Sequence, residues 1–237
     1  MAKRPLFLPN LSFPFFRKIE VEFDWHPGFS LVQKQKSLVS LHQEAKVELG
    51  DINLLEVSSK SPSQLGHQLS AFNLPAHTTD MFYNNKGPFS LETVFQTSKV
   101  FKPNLRCTDL IGLDELEIRN KVRLRQKDEL SHFKLEDEKW SLQPTGAFYN
   151  YLYIRSLFRH QKLCYSLEKY EGFTDIEFNP TKSFNCQAES VSQFLGMKRS
   201  GIDIEDALSS QNNFLKTVYP NRPVQASETL NFLDQLK

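Results

Sequence analysis

The chain has 237 residues, with 29 Lys and Arg against 28 Asp and Glu for a net charge of +1, and it carries 20 phenylalanines. Aromatic content at balanced charge excludes a wholly disordered chain and confines any nucleic-acid contact to a local patch. The three cysteines, Cys107, Cys164 and Cys186, lie far apart and show neither a disulfide framework nor a zinc spacing, so a reducing cytoplasm is the expected compartment. Residues Ile19 to Trp25 alternate apolar and charged side chains, which predicts a strand with one buried face. His26-Pro-Gly28 turns the chain, and Ser30 is placed to cap a helix through Lys46. Leu31, Leu38, Val39 and Ala45 form its apolar stripe, with Gln35 and His42 in the middle, where hydrogen-bonded core groups are expected. Ile52 to Val57 reads as a second strand, and Ser61-Pro-Ser-Gln64 as a capping box opening a short helix.

Pro75 to Gly87 reads as a polar connection. Ser90 starts a helix to about Phe101, and a charged helix is expected over Leu113 to Lys127. His132–Leu135 and Lys139–Leu142 flank an acidic turn, the pattern of a hairpin. Ala147 to His160 is a helix rich in Tyr and Phe. Asp175 to Phe178 is a short extended piece before Asn179-Pro180. A helix follows from near Ser183 to Gly196, and the tail Ser227 to Lys237 forms a last amphipathic helix. With no repeat and no linker, the expectation is one α+β domain, mostly helical, with a small sheet or hairpin. No stretch approaches the ~18 apolar residues of a membrane span, and the early run broken by Pro5, Pro9 and Pro14 does not read as a signal peptide.

The common catalytic templates are missing: there is no P-loop, Gly-x-Gly-x-x-Gly, His-Glu-x-x-His or Gly-x-Ser-x-Gly. One constellation remains. Glu92, Gln96 and Lys99 are spaced i, i+4, i+7 on the helix that Ser90 opens, beside Leu91, Val94, Phe95 and Phe101. A carboxylate, an amide and an amine in line suit a polar cleft wall, where the carboxylate moves protons and the amine binds an anion or attacks a carbonyl carbon. The competing reading is a solvated face with a Glu/Lys pair. Phe148-Tyr-Asn-Tyr-Leu-Tyr153 reads either as a base-stacking surface or as core. Lys34 and Lys36 read as phosphate contacts or as a solvated helix edge, and the run Arg119 to Lys127 as a DNA-backbone contact or an exposed face.

Read together, these segments resemble the NADAR family. Leu69-Ser-Ala-Phe72 resembles its Phe-Ser-Asn-Phe element, with Ala71 in place of Asn. Leu91-Glu-Thr-Val-Phe-Gln-Thr-Ser-Lys-Val100 resembles its Ser-Glu-His-Tyr-Phe-Gln-Ala-Gln-Lys-Phe helix, with Glu92, Phe95, Gln96 and Lys99 on the matching letters. Asp175-Ile-Glu-Phe-Asn179 followed by Ser183-Phe-Asn185 looks like its Asp-x-x-Trp-Gly and Gly-x-Asn elements, with Phe178-Asn179 replacing Trp-Gly. Trp25–Ser30, Gln33–Ser37 and Phe173–Pro180 resemble one branch, the NADAR-type antitoxins encoded beside DarT-type DNA ADP-ribosyltransferase toxins.

The resemblance implies a single NADAR-like domain over 1–237, with a branch-specific region 1–65, a motif-bearing core 66–200 and C-terminal helices 201–237. It implies an ADP-ribosyl glycohydrolase that releases ADP-ribose from guanine in DNA and acts as an antitoxin, with no metal and no cofactor beyond ADP-ribose as ligand or product. The implied partners are ADP-ribosylated DNA and a cognate toxin, with no membrane. Glu92 and Lys99 would be catalytic. Phe72 and Phe178 would form pocket walls, Ser70, Gln96 and Asn185 would donate hydrogen bonds, Asp175 and Asn179 belong to the second motif, and Lys36 is a phosphate candidate. Two mechanisms stand side by side: water activated by Glu92 with Lys99 stabilising charge, or ring opening and a Schiff base on Lys99 with Glu92 shuttling protons. Two other functions remain, a non-catalytic reader of ADP-ribosylated DNA and an N-glycosidase acting on riboflavin-pathway small molecules.

Overall fold

The structure, a computed structural model, describes residues 1–83, 87–125, 129–181 and 183–220. The elements run β1 Ala2–Pro9, β2 Phe16–Phe23, α1 Leu31–Leu49, β3 Leu54–Glu56, α2 Gln64–Gln68, α3 Leu91–Thr97, β4 Lys99–Phe101 and β5 Leu105–Arg106. Then come α4 Glu115–Arg125, β6 Leu130–Leu135, β7 Glu138–Trp140, α5 Ala147–Phe158, α6 Gln161–Leu167, β8 Gly172–Thr174, α7 Gln187–Arg199, α8 Ile204–Ala207 and α9 Gln211–Val218. The described strands form two four-stranded sheets, ordered β2-β1-β8-β3 and β5-β4-β6-β7. The architecture is mixed α and β, as expected, with more sheet than one hairpin. The predicted tail helix Ser227 to Lys237, and the Lys127 end of the charged helix, lie outside the described residues.

β1 is the strand that the sequence pattern conceals. Its prolines, Pro5 and Pro9, interrupt any strand signal. They are tolerated because β8 pairs only with Leu6 and Phe7, so neither proline is asked to donate to that second ladder. β3 runs parallel to β8, opposing Glu56 to Thr174. β1 also packs on α7, and the connection from β1 to β2 makes a close backbone approach to it. A Cβ built on Gly196 would lie 1.9 Å from the Phe15 carbonyl oxygen and 2.7 Å from that of Asn10. Gly196→Ala is therefore expected to lose about 1–3 kcal/mol in denaturant unfolding. An unchanged midpoint would show that the approach relaxes freely.

Several elements differ from the sequence-based expectation for identifiable reasons. Ser30 caps α1 as predicted, its side chain accepting from Gln33 N, but the buried face is Ser37, Leu38, Leu41 and Ala45. Leu31 and Val39 are exposed, because the face of α1 that packs on the sheet runs through Leu41 and Ala45, which cluster with Leu6, Val21, Phe23 and Ile176. Gln35 is half-buried and makes no hydrogen bond among the described residues. Ser61 forms no capping box. Its Oγ accepts from Ser63 N at 3.2 Å, and Ser63 occupies the cap position of α2. The helix from Ser90 ends at Thr97 rather than Phe101. Thr97 and Ser98 hydroxyls donate back to the Thr93 and Val94 carbonyls, each at 2.7 Å, while Lys99 and Val100 pair with Phe133 and His132 of β6. Asp175 to Phe178 is a turn following β8, in which Asp175 Oδ1 accepts from Glu177 N and Phe178 N. The hairpin around the acidic turn is present as β6 and β7. The aromatic helix is core: Phe148, Tyr149, Tyr151, Leu152, Tyr153 and Ile154 are all buried.

His42 fulfils the core reading. Thr174 Oγ1 donates to Glu56 Oε2 at 2.7 Å and accepts from His42 Nε2 at 2.8 Å. Burial pushes the imidazole down to about 4. Its folded value lies below the unfolded one of about 6.5, so the unfolded chain binds the proton first. Stability is complete above pH 6.5 and is lost as pH falls towards 4. Against His42→Gln, in which the carboxylates common to both proteins cancel, the wild type should lose about 2–3 kcal/mol of its unfolding free energy over that window. Parallel pH profiles for the two proteins would contradict this.

Candidate active site

α3 carries the carboxylate of the predicted constellation. Its cap Ser90 accepts from Thr93 N at 3.2 Å, and Glu92 N donates to the Ala71 carbonyl at 2.8 Å. The Ser90 helix start and the Leu69–Phe72 turn are thus locked together at Glu92. Gln96, one turn on, donates through Nε2 to Glu92 Oε1 at 2.9 Å. Lys99 has left the helix, yet β4 begins so soon after α3 that its Nζ still donates to Gln96 Oε1 at 2.7 Å. Carboxylate, amide and amine form one hydrogen-bonded row. Lys99 Nζ also lies 5.0 Å from the centroid of the Phe95 ring, and the residue is only 9% exposed. Burial holds its ammonium below the usual lysine range, while Glu92 pulls it back up and Arg119 pushes it further down.

Arg119 is the member that sequence spacing did not assign. It projects from α4, with Nε 3.5 Å from Glu92 Oε1 and its guanidinium 5.6 Å from the Phe72 ring centroid. The sequence marked α4 as charged, but its packing against α3 decides which arginine reaches the carboxylate. Arg125, at the helix end, is instead held by Asp109.

The second group of predicted residues gathers around β8. Asp175 is buried, and both oxygens are taken: Oδ1 by the Glu177 and Phe178 amides, Oδ2 by Gln187 Nε2 at 2.9 Å. Burial first, and the Glu56 carboxylate second, push it up to about 7. Phe178 is half-buried against the main core. Asn179 turns on itself, accepting from Thr181 N and Oγ1. Asn185 is half-buried, and its Oδ1 lies 3.7 Å from where a side chain on Gly146 would begin. Ser70 is buried, and its Oγ accepts from Phe72 N at 3.3 Å. Lys36 is exposed on α1. Lys34, the other lysine of that segment, pairs with Glu177 at 2.9 Å and lies 5.0 Å from the Trp25 ring centroid. The branch-like residues Trp25 and Lys34 therefore abut the Asp175 turn. Cavities of about 630 and 270 Å³ lie elsewhere, and none of Glu92, Gln96 and Lys99 lines either.

The family model for the DarT1-associated NADAR antitoxin matches residues 2–228. The chain belongs to that family. No curated protein gives a match. In this NADAR antitoxin the match takes in β1, β2, α1 and β3 as well as the motif-bearing helix. No helix among its described residues is long and apolar enough to cross a membrane.

Proposed function

We propose that this antitoxin is an ADP-ribosyl glycohydrolase that removes ADP-ribose from guanine bases in DNA modified by the associated toxin. The N-glycosidase-like hydrolase activity for which the family is known supports the reaction class. The observation that carries the proposal is the row Glu92–Gln96–Lys99, in which a buried lysine with a depressed pKa is tied through one amide to a partly accessible carboxylate. A lysine held towards its neutral form is a nucleophile. The lone pair of the guanine nitrogen bonded to the anomeric carbon expels the ring oxygen, which takes a proton delivered by way of Glu92, leaving a protonated imine. Lys99 Nζ adds to that carbon, a proton passes to the guanine nitrogen, and guanine leaves as the Lys99 Schiff base forms. Water adds to the Schiff base, and the ring closes as Lys99 is released with ADP-ribose.

The remaining residues supply binding. Phe72 offers an apolar wall, and Arg119, half-exposed above it, offers a cation for the pyrophosphate. Arg119→Ala is expected to weaken ADP-ribose binding about tenfold by calorimetry, the scale of one charge-assisted hydrogen bond. An unchanged affinity would remove Arg119 from the pocket.

The deciding experiment offers the pure protein an oligonucleotide carrying ADP-ribose on guanine, beside a thymine-modified control, with both read by mass spectrometry. Release from guanine alone is expected. Tight binding without release would make the protein a reader of modified DNA. Neither release nor binding would favour a small-molecule N-glycosidase.

A further inference from the structure

The two motif turns are separated by roughly a hundred residues of chain, and one side chain spans them. Gln187, at the first position of α7, accepts from Ala71 N through Oε1 at 2.5 Å and donates through Nε2 to Asp175 Oδ2 at 2.9 Å. Each turn presents a phenylalanine next to its anchored group: Phe72 follows Ala71, and Asp175 Oδ1 holds the Phe178 amide. The other side of Ala71, its carbonyl, accepts from Glu92 N at 2.8 Å. We propose that Gln187 and Asp175 are positioning residues that set the separation of the two pocket walls, Phe72 and Phe178, and so determine how tightly the ADP-ribosyl group is held. The proposal rests on the glycohydrolase reading for its ligand, while its geometry stands apart from it.

The direction of each hydrogen bond makes this testable. Ala71 N is a donor with fixed direction, so the atom of residue 187 that faces it must accept. The atom facing Asp175 is then the amide nitrogen, which donates to the carboxylate in its ionised form, above about pH 7. Asp175→Asn sets a donor against a donor. Gln187→Glu sets a second carboxylate against Asp175, so the pair stays bonded only by taking up a proton. The double variant Asp175→Asn with Gln187→Glu restores both pairs: one carboxylate oxygen of the new residue 187 accepts from Ala71 N, and the other accepts from the new amide at 175. Net charge is unchanged.

Each single variant is expected to raise KM for the ADP-ribosylated oligonucleotide about tenfold with kcat within about twofold, the scale of one buried hydrogen bond left unmade. Amide hydrogen exchange at Ala71, followed by NMR, should quicken by a similar factor. The double variant should return both quantities to the wild-type range. A purely structural role predicts a different pattern, with kcat falling as active protein is lost and KM constant; that pattern overturns the proposal. So does a double variant with the summed damage of the singles, or Ala71 exchange that no variant changes. If a single variant does not fold, the double still decides, since a restored pair folds and summed damage does not. A wild type without glycohydrolase activity would refute the proposed function, and Ala71 exchange across the three variants would still decide whether the staple exists.

Discussion

Replacing Lys99 by methionine is expected to abolish turnover, by on the order of a thousandfold or more, and to abolish covalent trapping with it. Methionine keeps an unbranched apolar stem to lie along Phe95, so the fold should survive the change. It deletes the amine that Gln96 holds at 2.7 Å. In the wild type, borohydride added during turnover should reduce the Schiff base and leave an ADP-ribosyl adduct on the peptide that contains Lys99. The rate of trapping has a defined pH dependence. Lys99 must be neutral to attack, and burial lowers its pKa, so trapping should rise with pH and level off below the ordinary lysine value of about 10.4. Turnover without any adduct at Lys99 would leave activated water as the mechanism. Full activity in Lys99→Met would remove Lys99 from the chemistry altogether.

The parts of this molecule that were legible from sequence are those in which the informative residues lie within a turn or two of one another. The cap at Ser90 and the spacing of Glu92 and Gln96 are local, and both hold. Lys99 joins the row for a reason other than the expected one: the helix unwinds at Thr97, and a strand carries the amine back to the same amide. That helix end was hidden because hydroxyl groups bonding back to the preceding turn compete with the helix without changing the apolar period. β1 was hidden because its prolines are acceptable only where the neighbouring strand makes no demand on them, which depends on how far β8 extends. Arg119 and Gln187 leave no local trace, because each acquires its partner only when distant segments pack. The Asp175 turn was recognisable by resemblance. Its carboxylate oxygens are occupied by the Glu177 and Phe178 amides of its own turn and by Gln187, which the packing of α7 on β8 brings up.

Glu92→Gln is expected to lower turnover by about 10²–10⁴-fold, the range of a removed general acid–base group, while ADP-ribose binding is retained. The substitution is nearly isosteric and keeps an oxygen at the position that accepts from Gln96 Nε2 and Arg119. What it removes is the negative charge and the capacity to pass a proton between the ring oxygen, the guanine nitrogen and water. A second consequence separates this carboxylate from a passive neighbour. Glu92 raises the Lys99 pKa against the effect of burial. Neutralising it withdraws that support from the ammonium, so Lys99 should become neutral at lower pH. Competitive labelling of Lys99 with an amine-reactive reagent should show its reactivity profile moving to lower pH in Glu92→Gln, and to higher pH in Arg119→Gln, since Arg119 pushes in the opposite direction. A Lys99 profile that neither variant moves would uncouple the amine from its row. Wild-type turnover in Glu92→Gln would deny the carboxylate its proton-transfer role, and loss of ADP-ribose binding would make it a ligand contact. Turnover lost, binding kept and the Lys99 profile moved to lower pH is the combination that a lysine nucleophile served by a carboxylate through one amide requires.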